Sequence, residues 1–393
     1  MNRQPETKAS GDLDPTFGDG GVLVLPEGFS SRVAQLSDGK LLVTGQLDND
    51  IALLRLQADG TPDTTFGEAG VKRLYTLQPS ESSIERIAVF PDDSLVLQGK
   101  SGELDTYLLR TRPTGELDST FGNAGHALLA LQGGPNSITT VAAQPDGKVL
   151  LIVRVHPTLD IFDTWLVRLA NGRLDPSFGD QGSGMTLIGR LHTILDLEVL
   201  ADGRLFMAGS FGQALLVQCQ NDGQLDTAFG EQGYVLHTVE QGRGSHISAI
   251  SQQVDGKIAA VGTTHVLDTG THCLTTRILA DGTLDPTFNL GVPWLDNYTG
   301  VGAQNLAVIQ QRDGKLVTGG TLLGTSETSK LILMRFNPTT DLDETFGDKG
   351  RVTTQLGGFD VVVQVFQQHD DKILAAGSSL GASPFAVIAR YLS

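Results

Sequence analysis

Leu13 to Gly21 reads LDPTFGDGG, and near-copies follow as PDTTFGEAG (62–70), LDSTFGNAG (117–125), LDPSFGDQG (174–182), LDTAFGEQG (225–233), LDPTFNLGV (284–292) and LDETFGDKG (342–350). Their phenylalanines, Phe17, Phe66, Phe121, Phe178, Phe229, Phe288 and Phe346, recur about every 55 residues, the spacing of a repeat architecture. A second string alternates with the first: LSDGK at 36–40, then FPDDS, QPDGK, LADGR, QVDGK, QRDGK and QHDDK. Two motifs, each present seven times and strictly interleaved, define seven units.

Each unit reads as four strands. In the first, SRVAQL and KLLVTG flank Asp38-Gly39, a strong signal for a tight hairpin. DIALLRLQ then runs to a second Asp-Gly turn at Asp59-Gly60, the LDxTFGxxG connector follows, and GVKRLYTL supplies a short fourth strand. No stretch carries helical periodicity. Four-stranded units repeated at this period imply an all-β fold, a single seven-bladed β-propeller spanning residues 10–393 behind a loose tail at 1–9. The chain ends on FAVIARYLS, a third strand, and opens with the connector and fourth strand that unit seven lacks. Gly21 to Leu25 is therefore expected to complete the last blade, since closing the ring removes exposed sheet edges. The surplus of glycine, 48 of 393 residues, fits a chain punctuated by tight turns.

The pairing of xxPDGKxLVAG with DGxLDxTFGxxG resembles the delta-60 repeat family of bacterial proteins over essentially the whole chain. That resemblance implies a repeat β architecture and carries no established reaction or ligand. The chain departs from the pattern at Asp92-Asp93-Ser94 and Asp370-Asp371-Lys372, which replace the Asp-Gly turn. It departs again at Asn289, which replaces the connector glycine ahead of a longer stretch, LGVPWLDNYTG.

Two recurrent charges belong to the repeat. Asp14, Asp63, Asp118, Asp175, Asp226, Asp285 and Asp343 precede a Ser or Thr by two positions in all copies but one, where Ala228 stands. A short carboxylate there can accept backbone N–H groups of the following turn. The third strands carry Arg55, Arg110, Arg168, Arg277, Arg335 and Arg390, with Gln218 in the remaining copy. One cation and one anion per unit favour an internal Arg–carboxylate clip over an anion-binding ring. The acids after the connector, Asp19, Glu68, Asp180, Glu231 and Asp348, lack the alternating oxygens of a calcium loop. No zinc motif, phosphate loop or nucleophile elbow occurs, so neither a metal nor a cofactor is expected and no catalytic residue is assigned.

The net charge of −17 disfavours nucleic acid and anionic lipid as partners. No apolar run approaches the length of a membrane span, and the first residues lack the apolar core of a signal peptide. A monomer is expected, in the cytoplasm or exported without an amino-terminal signal. Cys219 and Cys273 are too few for a disulfide framework.

Strand alternation puts the Asp-Gly hairpins and connectors on one face and the divergent loops on the other, where specificity belongs. Candidate ligand-binding residues in those loops or at their edges are His156, Arg190, His192, Arg243, His246, His265 and His272. Trp294, Asp296 and Tyr298, in an expanded loop leading into the sixth blade, complete the set. The leading expectation is a non-enzymatic module that recognises a protein or glycan there. A hydrolase or lyase in the central channel is the alternative, and it requires polar, pKa-shifted side chains converging from several blades. A structural component of a secreted or surface assembly is the third.

Overall fold

The computed structural model of the chain describes residues 8–393 apart from 49, 75–81, 102–104, 130, 132–135, 159, 240, 241, 297, 299, 300, 325–328, 340, 357 and 381–384. Its strands form seven antiparallel sheets. Blade 1 comprises Phe29–Gln35, Leu41–Leu47, Asp50–Leu56 and Val71–Leu74, each paired with the next. Blades 2 to 6 repeat this order over residues 82–128, 136–190, 193–237, 242–296 and 303–354. In blade 7 the strands Phe359–Gln367, Ile373–Leu380 and Phe385–Tyr391 are joined by Val22–Val24. Val22 pairs Ala389 and Val24 pairs Val387, so the amino-terminal strand closes the ring as expected. Most of the 1–9 tail lies outside the described residues.

The third strand of every blade also bridges the start of its connector, as Leu56 does to Pro62 and Phe336 to Leu342. Blade 3 extends this bridge into a two-residue strand, Arg173–Leu174, because Asn171-Gly172 turns the chain more tightly. Among the described residues no helix is long and apolar enough to cross a membrane.

The core is divided among seven seams. The connector phenylalanine of each blade is buried among apolar residues of two neighbouring blades. Phe17 packs with Leu54 of blade 1 and Ile388 of blade 7, and Phe121 packs with Leu108 of blade 2 and with Val149 and Val153 of blade 3. Such side chains bury area that dominates core energetics, so each seam is an apolar joint between otherwise separate sheets.

Two irregular backbone features recur. After the connector phenylalanine comes a left-handed residue: Gly18, Gly67, Gly122, Gly230 and Gly347 have φ between 51° and 58°. Asn289 takes the same conformation at φ 46°, tolerable because Asn is among the few side chains that enter this region readily. The second feature is a bulge in the first strand of every blade. The bulge drives a carbonyl toward the second strand, where a glycine receives it. A Cβ on Gly209, Gly262, Gly320 or Gly377 would collide with the carbonyl oxygen of Thr193, His246, Gln304 or Val361. The glycine of LLVTG and its counterparts therefore serves close approach rather than a turn.

Candidate functional site

The recurrent Asp meets the third-strand arginine in six blades and Gln218 in the seventh. Arg55, Arg168, Arg277 and Arg335 donate through Nε to Asp63, Asp175, Asp285 and Asp343 at 2.6 to 2.8 Å. Arg390 reaches Asp14 at 2.8 Å, and Arg110 reaches Asp118 at 3.5 Å. Gln218 keeps the bond in blade 4, donating to Asp226 at 2.8 Å. The other carboxylate oxygen accepts the N–H and hydroxyl two residues on, as Thr65 gives to Asp63. The guanidinium also lies over an aromatic ring, usually the connector's own, 4.3 Å away for Arg168 and Phe178. It then crosses the seam: Arg168 donates to Asn221 O and Arg277 to Pro338 O.

The hairpin supplies a further cation. Lys372, Lys315, Lys257 and Lys148 stand 2.9 to 3.3 Å from Asp14, Asp343, Asp285 and Asp175. The LxDGK lysine is thus part of the clip, a role its recurrence in the sequence signals only once the strands are aligned. Burial raises the Asp14 pKa, but Lys372, the Thr16 N–H and hydroxyl, and Arg390 outweigh it and hold the carboxyl at about 2. At Asp63 the Thr65 hydroxyl leads the same effect, again to about 2. The hairpin-and-connector face is thereby cross-linked within the protein, and the recurrent arginines are structural.

The axis is lined by the bulged first strands, one from each blade, around a cavity of 320 Å³. The residue after the bulge is Arg86, Thr140, Asp196, Ala249, Ala307 and Gln364 in blades 2 to 7; in blade 1 the irregular stretch runs from Phe29 to Val33 and contains Arg32. Four of these tie their blade to the next. Arg86 Nε donates to Thr139 O at 2.9 Å and Thr140 Oγ1 to Leu195 O at 3.3 Å. Asp196 Oδ2 accepts the Ile250 N–H at 2.8 Å, and Gln364 Oε1 accepts the Val33 N–H at 2.9 Å.

Ionisation in this ring is displaced from ordinary values. Burial pushes Asp196 up to about 6, although the Ile250 and Leu197 N–H groups oppose it. Glu198, which accepts the Gln252 N–H at 2.8 Å, is pushed up to about 7 by burial, with the Asp196 charge adding to the rise. Burial, reinforced by the neighbouring Arg86 charge and countered by Glu85, brings Arg32 down to about 10. The channel therefore carries cations on blades 1 and 2 and the acid Asp196 on blade 4 among largely apolar neighbours, with Glu198 two residues further along the same strand.

These acids set a pH dependence whose sign follows from proton linkage. A carboxyl raised in the folded state holds a proton that the unfolded chain has already released. Its contribution to stability is complete below the unfolded value, near 4, and disappears as pH rises through the folded value. The connector aspartates act oppositely, losing their contribution as pH falls from about 4 toward 2. Melting temperature is accordingly expected to fall between pH 5 and pH 8, values that bracket the raised pKa of Asp196 and Glu198. Glu198→Gln, which keeps an acceptor for Gln252, should flatten that descent. An identical slope in wild type and variant, measured by thermal melts across this range, contradicts the assignment.

The candidate residues read from the sequence sit on the divergent-loop face in separate groups. Arg190 pairs with Asp163 at 3.0 Å. His192 lies flat on Phe211 at 4.2 Å, with Tyr234 at its edge, and its Nδ1 is 2.9 Å from Arg190 O. His156 tilts against Phe162 at the end of its strand. His265 is exposed, whereas His246 is buried enough to lower its pKa. His272 bonds the Thr269 hydroxyl at 2.9 Å; burial lowers its pKa, with Asp296 opposing and His265 assisting. Arg243 lies opposite His265 in blade 5, and its side chain falls outside the described residues. Among the described residues no three His, Cys, Asp or Glu are grouped to hold a metal.

Trp294, Asp296 and Tyr298 differ from the sequence reading. Trp294–Asp296 is the fourth strand of blade 5, not an expanded loop. Trp294 meets Phe336 edge-on at 5.0 Å, and Asp296 takes Nε and a terminal nitrogen of Arg351 at 2.9 and 2.7 Å. Trp294 and Tyr298 both pack against the core of the seam between blades 5 and 6. The sequence reading passed over Arg32, Arg86, Asp196, Glu198 and Phe211.

The fold and site together define a closed seven-bladed β-propeller built from four-stranded blades. A family model described as "Domain of unknown function (DUF5122) beta-propeller" matches residues 36–66, 253–288 and 311–346. Each matched stretch runs from the Asp-Gly hairpin to the connector phenylalanine, the two motifs that define the unit. No curated protein matches in sequence. Among solved structures, virginiamycin B lyase from Staphylococcus aureus is 10% identical with TM-score 0.53, over 94% of this chain and 98% of that one. Drosophila Semaphorin 2a is 7% identical with TM-score 0.51, over 100% and 77% of the two chains. YCF48 from Cyanidioschyzon merolae is 13% identical with TM-score 0.50, over 95% and 99%. At these identities the likeness is one of fold.

Proposed function

We propose that the chain is a binding module that engages a protein or glycan partner through its divergent-loop face at blades 3 to 5. The observation that carries this reading is the His192–Phe211 stack, in which Phe211 remains 44% exposed beside Leu191, also 44% exposed. A flat aromatic surface next to an exposed aliphatic group suits a sugar ring or an apolar side chain. On the next blade, exposed Leu267 and His265 continue the same face. The opposite face has its recurrent charges engaged in internal clips, so the divergent loops are the freer surface for recognition.

A hydrolase or lyase in the channel draws support from the shifted acids. Both Asp196 oxygens accept backbone N–H groups, however, from Leu197 and Ile250. That arrangement suits a strut between blades better than a base awaiting a substrate proton. The unlike proteins that share the fold do not choose between the readings.

The test screens the purified protein against a glycan array and by affinity capture, comparing wild type, Phe211→Ser and the opposite-face control Val254→Ser. Phe211→Ser is expected to weaken the partner about tenfold or more while the melting temperature holds. Equal binding by wild type and Phe211→Ser overturns the placement.

A further inference from the structure

The channel holds a feature that the blade-to-blade contacts do not use. Arg32 lines the 320 Å³ cavity from blade 1. Among the described residues its guanidinium has neither a hydrogen-bond nor an ion-pair partner, unlike the arginines of the clips. Arg86 lines the same cavity from blade 2, its Nε and one terminal nitrogen donating to Thr139 O and Glu85 O. Glu85, whose charge acts on Arg32, is itself engaged by Lys100 at 3.3 Å and Gln98 at 3.4 Å. From blade 5, Ser248 also lines the cavity, and its buried hydroxyl has no partner among the described residues.

A half-buried cation beside a like charge, without a partner of its own, detracts from folding stability. An unsatisfied hydroxyl on the same cavity adds a second such cost. Two guanidiniums on adjacent blades present donors in planar forks, the arrangement that carboxylates and phosphates match. A cavity at the lower end of the range for small-molecule sites limits the occupant to a small ligand.

We propose that the axial channel is a binding site for a small oxyanion, a carboxylate or phosphate group held by Arg32 and Arg86 with Ser248 donating from the far wall. Asp196, on the remaining side, disfavours a second negative group and so directs the anionic end of the ligand toward blades 1 and 2. The site does not depend on the divergent-loop reading above, and either can fail alone.

Isothermal titration with inorganic phosphate and with acetate, at ionic strength matched by sodium chloride, tests it on the full chain. Saturable one-to-one binding of at least one probe is expected, and the preferred probe separates phosphate from carboxylate chemistry. Arg32→Gln should weaken that binding about tenfold or more, and Ser248→Ala should weaken it less. Arg32→Gln should also raise the melting temperature, since it removes an unpartnered buried charge. A purely structural arginine would lower it. Binding no stronger than chloride, or unchanged in Arg32→Gln, overturns the site. So does an Arg32→Gln protein that melts earlier or fails to fold.

Discussion

Asp285→Ala is expected to cost about 3–5 kcal/mol of folding stability, read from urea denaturation followed by tryptophan fluorescence and circular dichroism. Asp285 is 2% exposed and Arg277 is 5% exposed. Removing the carboxylate leaves the guanidinium buried with, among the described residues, only Thr287 and Pro338 O as hydrogen-bond partners. It also frees Lys257, which stands 3.1 Å from Asp285. The opposite substitution gives a different result. Arg277→Gln should cost only about 1 kcal/mol, because blade 4 already uses Gln218 on Asp226 at the equivalent position. Asp255→Ala, which removes the exposed partner of Lys257 and one exposed turn bond from the Lys257 N–H, should fall within about 1 kcal/mol of wild type. If Asp285→Ala matches Asp255→Ala, the clip is a surface pair in energetic terms and the argument for a rigid hairpin face collapses.

The clip was legible in the sequence because it repeats. Seven acids and six arginines at fixed offsets leave little choice but to meet, and Gln218 confirms the position by occupying it without charge. The seam phenylalanines were legible for the same reason. The channel was not. Its lining residue follows a bulge, so it falls out of step with the alternation that identifies inward positions on a regular strand. The position also carries Arg, Thr, Asp, Ala and Gln in different blades, and no self-similarity marks it. Repetition reveals what every blade shares, whereas a site on the axis is made of what the blades do not share. Trp294 illustrates the converse error. The Asn289 departure and the longer stretch after it suggested a loop, yet Asn289 adopts the left-handed turn of its glycine counterparts and the chain resumes the fourth strand at once.

Deleting residues 1–26 should produce the largest effect of all, the loss of a cooperative fold. The deletion removes Val22–Val24, and with it the strand that covers Phe385–Tyr391. It removes Phe17, wholly buried in the seam between blades 7 and 1. It also removes Asp14, leaving Arg390 and Lys372 without the carboxylate both contact. An uncovered apolar edge, a cavity and an unpaired buried charge arise together, and the sum is comparable with the total stability of a typical domain, about 5–15 kcal/mol. An exposed edge is a template for pairing with another copy, so oligomers or aggregates are expected by size-exclusion chromatography with light scattering. Deleting residues 1–9 should leave the melting temperature unchanged, since among the described contacts it removes two local bonds, from Ala9 N–H to the Asp12 carboxylate and from Asp12 N–H to Ala9 O. Truncation damage is separated from ring opening by supplying residues 10–26 as a peptide. If closure is the cause, the peptide should add as the missing strand and restore the wild-type elution and a sharp melt. A truncated protein that is already monomeric with the wild-type melting temperature would mean that blade 7 holds with three strands, and that the first strand is an ornament rather than the clasp.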